Sequence, residues 1–481
     1  MDYQHINNYL IWLKIGIISL GFAGLYSIIL VVLRTPQLAS FFSNPHIFKS
    51  ALIIHVNLSV LIWLLSITAS VWSLSFPQKR ESRKTILDSR FRGNDIMCKL
   101  ALLATLLIAI SPVAGHNPVM NNYIPMLENI VFILGLSLFG VTLLLYAINI
   151  LYFFDFANWN NFTNFTILST IIMFLLTWVC FWCSYRDLHN VIQIIPIEIE
   201  FYYELLFWSG GHLLQFIYTQ IAMFIWVSLL QKLVAHELRF QKFYLLVLCL
   251  NFIFGMLIIW GHISYNVIDG SFKEFYTNHM KYLGGIAPVL CLGGMGVETL
   301  VIPRLDRGIQ KKYKNNIMDT VVKPRYDTVI KATLLCSATL FLFGGLIAMN
   351  ISGINVVIPA HYHGSIVGIS IACMGYCYLG LYVIPAKAGI QKKLLERMDS
   401  RFRGNDIISF TIYLLTFGQI VHILGLALAG GYGVMRKDPN IVMPLSAKLL
   451  MGMMGGGGLI AIVGGLMFVF ICGKIIFFRN K

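Results

Sequence analysis

Long apolar stretches alternate with short polar ones along nearly the whole chain. Twelve of these stretches reach about 20 residues, the length that spans a bilayer as a helix. They are numbered here as segments 1 to 12 and cover about 10–33, 51–74, 97–115, 130–153, 165–183, 203–230, 243–262, 283–302, 329–350, 358–382, 408–431 and 446–474. The pattern predicts an all-α polytopic membrane protein, with residues 1–481 forming a single domain of twelve transmembrane helices.

Composition supports a lipid environment for these helices. The chain is 58% hydrophobic and only 12% charged, whereas soluble domains carry roughly 25% charged residues. The nine cysteines are scattered and lie mostly within apolar segments. A disulfide framework is therefore not expected.

The net charge of +15 comes mainly from three short blocks at 77–99, 302–327 and 385–406. Twenty of the 36 lysines and arginines lie in them, and so do nine of the 21 acidic residues. The nonapeptide DSRFRGNDI occurs at 88–96 and again at 399–407, and the second and third blocks share GIQKK. The blocks resemble translated palindromic elements inserted into bacterial reading frames, and we expect loosely ordered loops. The charge thus gives no reason to expect a nucleic-acid partner.

The same blocks predict the orientation of the chain in the membrane. All three follow an even-numbered segment, so all three lie on one side. Short basic loops stay in the cytoplasm. We therefore expect cytoplasmic basic loops, two cytoplasmic termini and a location in a bacterial inner membrane.

Histidines cluster at one depth in this arrangement. His55 lies near the outer end of segment 2, His212 in the outer half of segment 6 and His262 at the outer end of segment 7, while His361 and His363 open segment 10. Imidazole groups within hydrocarbon are costly and usually face a partner or a site. Each histidine alone is compatible with a hydrogen-bonded interfacial side chain, but together they indicate a metal or haem site.

The motif His361-Tyr362-His363 is the most informative part of this cluster. Residues two apart on a helix point about 200° from each other. The two imidazoles are therefore poorly placed for one metal and well placed for two cofactors on opposite sides of the helix.

These residues resemble subunit I of the haem-copper oxidase superfamily, and the resemblance runs along segments 1 to 12. It implies two haems, with His361 holding the high-spin haem and with His363 and His55 holding the low-spin haem. The sequence Trp260-Gly261-His262-Ile263 is similar to the family's WxHH motif with the second histidine lost. The family's copper would accordingly rest on His212 and His262, with His279 in the next loop able to substitute only if that loop folds back.

Other residues depart from the resemblance or extend it. Phe216 stands where many oxidases place a tyrosine one turn after the segment 6 histidine. By similarity, Arg436 and Lys437 would hold haem propionates at the outer surface, although for Lys437 a solvated loop charge is an equal alternative. Glu298 in segment 8 is an intramembrane acid that would line a proton path or reach the interface.

Three functional hypotheses stay open at this point. The first is a cytochrome c oxidase-like respiratory oxidoreductase that reduces oxygen at a haem-copper centre. It would receive electrons from cytochrome c or another outside donor and assemble with partner membrane subunits. The second is a non-catalytic haem-binding paralogue with a degenerate copper site. The third is a twelve-helix secondary transporter, for which the glycine run 455–458 would be a helix break.

Overall fold

The chain is almost entirely helical in the computed structural model, which describes residues 3–34, 45–75, 84–234, 237–309, 327–387, 404–435 and 444–477. These residues include twelve helical stretches long and apolar enough to cross a membrane. The only strands among them form a two-stranded antiparallel ladder, β1 (Pro118–Val119) with β2 (Met126–Leu127). The predicted all-α fold with twelve spans is confirmed.

The helices fall into two compact units. The first unit contains residues 1–221 and 252–284. Its helices are α1 (Tyr3–Arg34), α2 (Pro45–Val56), α3 (Trp63–Trp72), α4 (Lys84–Ile110), α5 (Ile130–Tyr152), α6 (Phe162–Ile192), the first part of α7 (Ile199–Val234), the end of α8 (Gln241–Met256), α9 (Trp260–Ser264) and α10 (Gly270–Leu283). Short 3-10 turns follow α3, α4 and α8.

The second unit contains residues 222–251 and 285–481. Besides the remaining parts of α7 and α8, its helices are α11 (Ile286–Ile309), α12 (Asp327–Ala348), α13 (Val357–Lys387), α14 (Gly404–Gly431) and α15 (Leu445–Phe477). In this unit α12 packs on α13 and α14 packs on α15.

A π-helical turn, Asn57–Ile62, separates α2 from α3 two residues after His55. The turn frees carbonyl groups from the regular hydrogen-bond ladder, and the Ser19 hydroxyl of α1 donates to the carbonyl of Leu58 at 2.6 Å. The side-chain amide of Asn57 donates to the carbonyls of Ile53 and Pro125. Such turns often occur at functional sites, and here the turn lies beside a candidate ligand.

The loop between segments 7 and 8 is not extended but forms the amphipathic helix α10. Its Phe272, Tyr276 and His279 recur at the spacing of one helix face and are all buried. Gly261 of α9 makes room for this face, since an added Cβ would meet the Tyr276 side chain. The loop therefore folds back against the first unit.

Glycines form the seam between α14 and α15. A Cβ added at Gly425 would lie 2.6 Å from the backbone nitrogen of Met454, and one at Gly464 would lie 2.7 Å from that of Leu415. Gly418 and Gly457 have similarly close backbone neighbours. Small residues allow such close approach of membrane helices. The run Gly455–Gly458 lies inside the unbroken helix α15 and is not a helix break, and its Gly457 packs closely against the backbone of α14.

Parts of the basic blocks belong to helices, and the expectation that the blocks are loosely ordered insertions stays a prediction. The helix α4 begins at Lys84 and thus includes most of block 77–99, while α11 continues to Ile309 inside block 302–327. The third block contributes the last residues of α13 and the first of α14. Residues 76–83, 310–326 and 388–403 lie outside the described residues.

Candidate functional site

His55 is held by a backbone carbonyl in the first unit. Its Nδ1 lies 2.9 Å from the carbonyl oxygen of Ala23 on α1. Because a carbonyl can only accept, Nδ1 carries the proton and Nε2 keeps its lone pair. The imidazole is partly buried within a membrane-spanning helix.

His361 repeats this arrangement in the second unit. Its Nδ1 lies 2.8 Å from the carbonyl oxygen of Gly344 on α12. The helices α12 and α13 can come this close because Gly344 has no Cβ; an added Cβ would meet the backbone of Gly364. The imidazole of His361 is therefore also a donor at Nδ1 and presents an unprotonated Nε2.

His363 has a different neighbour. Its ring packs against the ring of His422 on α14, with centroids 4.6 Å apart and planes at 66°. His422 is itself oriented by a hydrogen bond from Nδ1 to the carbonyl oxygen of Met454 at 2.8 Å. The HxH motif thus has one imidazole held by a carbonyl of α12 and the other packed against an imidazole of α14.

These imidazoles suit haem iron. Histidines that bind a metal usually donate the other ring N–H to a carbonyl or carboxylate, which fixes the tautomer and the ring orientation. His55 and His361 both do so, and both leave Nε2 as the nitrogen available to iron. Each of these two histidines, considered by itself, is therefore suited to bind haem iron.

His212, by contrast, has both ring nitrogens engaged. Nδ1 donates to the carbonyl oxygen of Trp208, one turn earlier on α7, at 2.7 Å. Nε2 lies 2.9 Å from the hydroxyl of Tyr123. Since Nε2 is unprotonated in this tautomer, the phenol is the donor, and it occupies the direction in which a metal would bind.

Tyr123 is held in that position by a clip of three residues: Glu204, Asn122 and Lys273. The Glu204 carboxylate accepts from the backbone of Asn122 at 3.0 Å and from its side chain at 2.6 Å, and it pairs with Lys273 of α10 at 3.2 Å. The Tyr123 ring rests on Gly211, where any Cβ would collide with it. The Gly210-Gly211 pair before His212 therefore makes room for neighbouring aromatic rings.

One ring nitrogen of His262 is bonded to a side-chain hydroxyl, while its buried Nδ1 has no hydrogen-bond partner. Its Nε2 lies 2.9 Å from Ser209 Oγ. The Tyr276 ring lies 5.7 Å from the His212 ring and 6.2 Å from the His262 ring, measured between centroids. A phenol ring thus neighbours both histidines that the resemblance assigns to copper.

The fold-back that His279 requires is present, since α10 buries this residue. Its Nε2 donates to the carbonyl oxygen of Phe254 at 2.9 Å, and its buried Nδ1 has no hydrogen-bond partner. The ring packs on Phe216, at 5.2 Å between centroids. His279 is therefore buried with an unprotonated Nδ1.

The copper assignment does not fit these residues. Copper on three imidazoles needs three converging unprotonated nitrogens, but in the described part of the chain no three histidine, cysteine or acidic side chains are placed to hold a metal ion. His212 is capped by Tyr123. Ile263, at the position of the family's second histidine, is 69% exposed and does not face into the protein.

Glu298 is buried and anchors the start of α8. Its carboxylate oxygens lie 2.9 Å from the backbone nitrogen of Arg239 and 3.4 Å from that of Phe240. Free N–H groups at a helix N-terminus favour a negative charge. This contact gives Glu298 a structural task, and the proton path stays a prediction.

The proposed propionate ligands Arg436 and Lys437 lie outside the described residues. The chain just before them is tied to the start of α13, because the backbone nitrogen of Val356 donates to the carbonyl of Val434 at 3.0 Å. Asn355 and Met435 form an isolated bridge at the same place. The assignment of the basic pair stays a prediction.

Sequence reasoning missed Tyr123, Tyr276 and the ring contact of His422 with His363. A signal existed for Tyr276, since Phe272, Tyr276 and His279 show helical spacing. The Gly210-Gly211 pair is a weaker signal of close approach by another group. No local signal connects Tyr123 with His212, which lies 89 residues later in the chain.

Comparisons with known proteins point in one direction. The family described as Cytochrome C and Quinol oxidase polypeptide I matches residues 9–467. An uncharacterised protein of Rickettsia prowazekii is 64% identical over 489 residues, covering 97% of this chain and 95% of that protein. An uncharacterised protein of Aquifex aeolicus is 24% identical over 378 residues, covering 77% of this chain and 84% of that protein.

A solved structure agrees in fold. The chain is similar to a haem-copper terminal oxidase studied as a dimer by cryo-electron microscopy, with a TM-score of 0.69 and 14% identity. The match covers 100% of this chain and 85% of that one. The resemblance that rested on a few histidines is thus confirmed along the whole sequence, and the chain belongs to the cytochrome c and quinol oxidase polypeptide I family.

Proposed function

We propose that this protein is a haem-carrying, oxidase subunit I-like membrane protein that transfers electrons between two haems and no longer holds copper. The observation that carries the proposal is the contrast between the histidines. His55 and His361 donate Nδ1–H to backbone carbonyls, whereas Nε2 of His212 and of His262 is bonded to a side-chain hydroxyl.

The haem ligands follow from the family's pattern. His55 and His363 are the proposed axial ligands of the low-spin haem, and His361 is that of the high-spin haem. Bound haem iron supplies one-electron chemistry. The residues of this chain supply unprotonated nitrogens and fix the ring orientations through the carbonyls of Ala23 and Gly344.

Several partners belong to the same proposal. Arg436 and Lys437 would bind haem propionates, for which the guanidinium group is well suited. The electron donor would be cytochrome c or another outside protein, and further membrane subunits would complete the assembly. The basic blocks favour cytoplasmic termini and a bacterial inner membrane.

The loss of copper is supported by three features of the first unit. A phenol takes the Nε2 of His212, a second phenol ring neighbours both His212 and His262, and the position of the missing histidine is exposed. Oxygen reduction by the haem-copper route would then be absent. The protein would be a haem-binding relative of the oxidases and not itself an oxidase.

The test is a set of spectra and metal counts on the purified, detergent-solubilised protein. We expect two haems per chain from the pyridine haemochrome assay, a carbon monoxide-reactive fraction and no stoichiometric copper. One copper per chain together with oxygen consumption would support the catalytic version and overturn the copper-free one. A colourless protein would overturn the haem assignment altogether.

The transporter alternative has no supporting observation. Its sequence signal was the glycine run of segment 12, and that run lies within the continuous helix α15, where Gly457 packs against α14. Absorbance in the Soret region would separate the two functions directly.

A further inference from the structure

We propose that His422 is a positioning residue that sets the ring orientation of His363. The inference rests on the proposed function, because it takes His363 to be a low-spin haem ligand. It adds a histidine to which neither the HxH motif nor the copper pattern assigns a role.

The location of His422 calls for an explanation. It lies midway along α14, is 9% exposed and belongs to a membrane-spanning segment. Polar side chains at such positions are costly and usually face a partner or a functional site. One partner is the Met454 carbonyl, which would make His422 a simple hydrogen-bonding link between α14 and α15.

The ring contact with His363 distinguishes a site from a simple link. The two imidazoles meet edge to face, with centroids 4.6 Å apart. Two such rings restrict each other's rotation, since turning either one closes the gap between them. The ring plane of His363 is therefore coupled to that of His422.

The ring plane of His422 is in turn fixed by α15. The bond from Nδ1 to Met454 sets the ring angle and the tautomer. The glycine seam holds that carbonyl in place, because Gly457 allows α15 to contact the backbone of His422 and Gly425 allows contact at Met454. The close-packed glycine seam therefore fixes the ring of His422, and the ring of His422 in turn restricts that of His363.

The ring contact places an imidazole, itself oriented by a carbonyl, directly beside the proposed ligand His363. His55 and His361 are oriented by carbonyls, and the ring of His363 packs on an imidazole that a carbonyl orients. Groups that orient a metal ligand typically contribute about 10–100-fold in metal affinity. We expect His422 to have an effect in this range on the low-spin haem.

The experiment compares four variants of the whole protein in detergent, using electron paramagnetic resonance of the oxidised low-spin haem and the haem content. We expect His422→Ala to shift and broaden the low-spin signal and to weaken haem retention about 10-fold. His422→Phe keeps a ring against His363 but loses the bond to Met454, so its signal should lie between those of the wild type and of His422→Ala. Ile423→Ala removes a neighbouring, fully buried side chain and should leave the signal unchanged. His363→Ala should remove the signal.

The outcomes separate the possible explanations. An unchanged low-spin signal in His422→Ala, with a lower melting temperature, would reduce His422 to a link between helices and overturn the inference. A His422→Phe protein that behaves like His422→Ala would assign the effect to the Met454 bond and overturn the ring-contact account. Retention of the low-spin signal in His363→Ala, or absence of haem from every variant, would instead contradict the proposed function.

Discussion

Two groups of histidines in this protein differ in their hydrogen-bond partners. Around the HxH motif of α13, His361 and the neighbouring His422 bond to backbone carbonyls. In the first unit, the Nε2 atoms of His212 and His262 bond to the hydroxyls of Tyr123 and Ser209. A carbonyl on Nδ1 orients an imidazole and leaves Nε2 open. A hydroxyl on Nε2 occupies that nitrogen, which leaves His212 with none available and His262 with only its buried Nδ1. Under the proposed function, this contrast corresponds to one cofactor site that is kept and another that is lost.

The strongest way to break this comparison is to remove one histidine from each group. We expect His361→Ala to lower the carbon monoxide-binding signal about 10-fold or more, because the iron loses its protein ligand. His212→Ala should leave that signal and the haem content unchanged. Carbon monoxide difference spectra on the two purified variants make the measurement. Equal losses in both variants would mean that the two groups serve one site.

The next largest effect is expected from disrupting the clip of Glu204, Asn122 and Lys273 beside His212. Glu204→Ala removes the acceptor of two hydrogen bonds and an ion pair, so we expect a loss of about 2 kcal/mol in the free energy of unfolding. Thermal unfolding followed by circular dichroism measures it, with the exposed Glu128→Ala as the matched control. A cost no larger than that of Glu128→Ala would show that the clip does not hold Tyr123 in place.

The phenol on His212 gives a smaller change in stability and a sharper test of copper. Tyr123→Phe removes one hydrogen bond and should cost about 1 kcal/mol. We expect no copper to bind, because two further converging donors are still absent. Copper titration followed by metal analysis checks this, with the more exposed Tyr265→Phe as control. Stoichiometric copper in Tyr123→Phe alone would mean that the phenol is the sole obstacle.

The smallest effect is expected from restoring the family's missing histidine. Ile263→His places an imidazole at a position that is 69% exposed. Stability should change by no more than about 0.5 kcal/mol, as for most surface substitutions, and copper should still not bind. Metal analysis of this variant beside the wild type decides the point. A gain of one copper would show that α9 can turn this residue inward.

Hydropathy alone predicted the membrane fold, because each span must satisfy its backbone within itself and leaves a long apolar run in the sequence. The helix ends were harder. Block 77–99 looked like a loop from its charge, yet α4 begins at Lys84. The lysines and arginines of this block determine its net charge. They do not reveal that the block continues directly into an apolar helix.

For the candidate site, too, the sequence predicted some residues and not others. The histidines were visible because imidazole is unusual in apolar segments, and the HxH spacing carries its own geometry. Tyr123 was not visible, since its position depends on Glu204 and Lys273, which follow it by 81 and 150 residues. Ring contacts such as that of His363 with His422 depend on helix packing, which no local pattern encodes.

The π turn after His55 also has a consequence for how this segment can vary. Such a turn accommodates one extra residue in an otherwise regular helix. Each residue of an α-helix rotates the chain by about 100°. Deleting one residue within Asn57–Ile62 would restore a regular helix, but it would turn His55 by about that angle relative to the buried face of α3. The turn therefore sets the direction of a proposed cofactor ligand relative to the buried face of α3, and a single-residue deletion here would change that direction together with the packing of the buried Ile53 and Ile54.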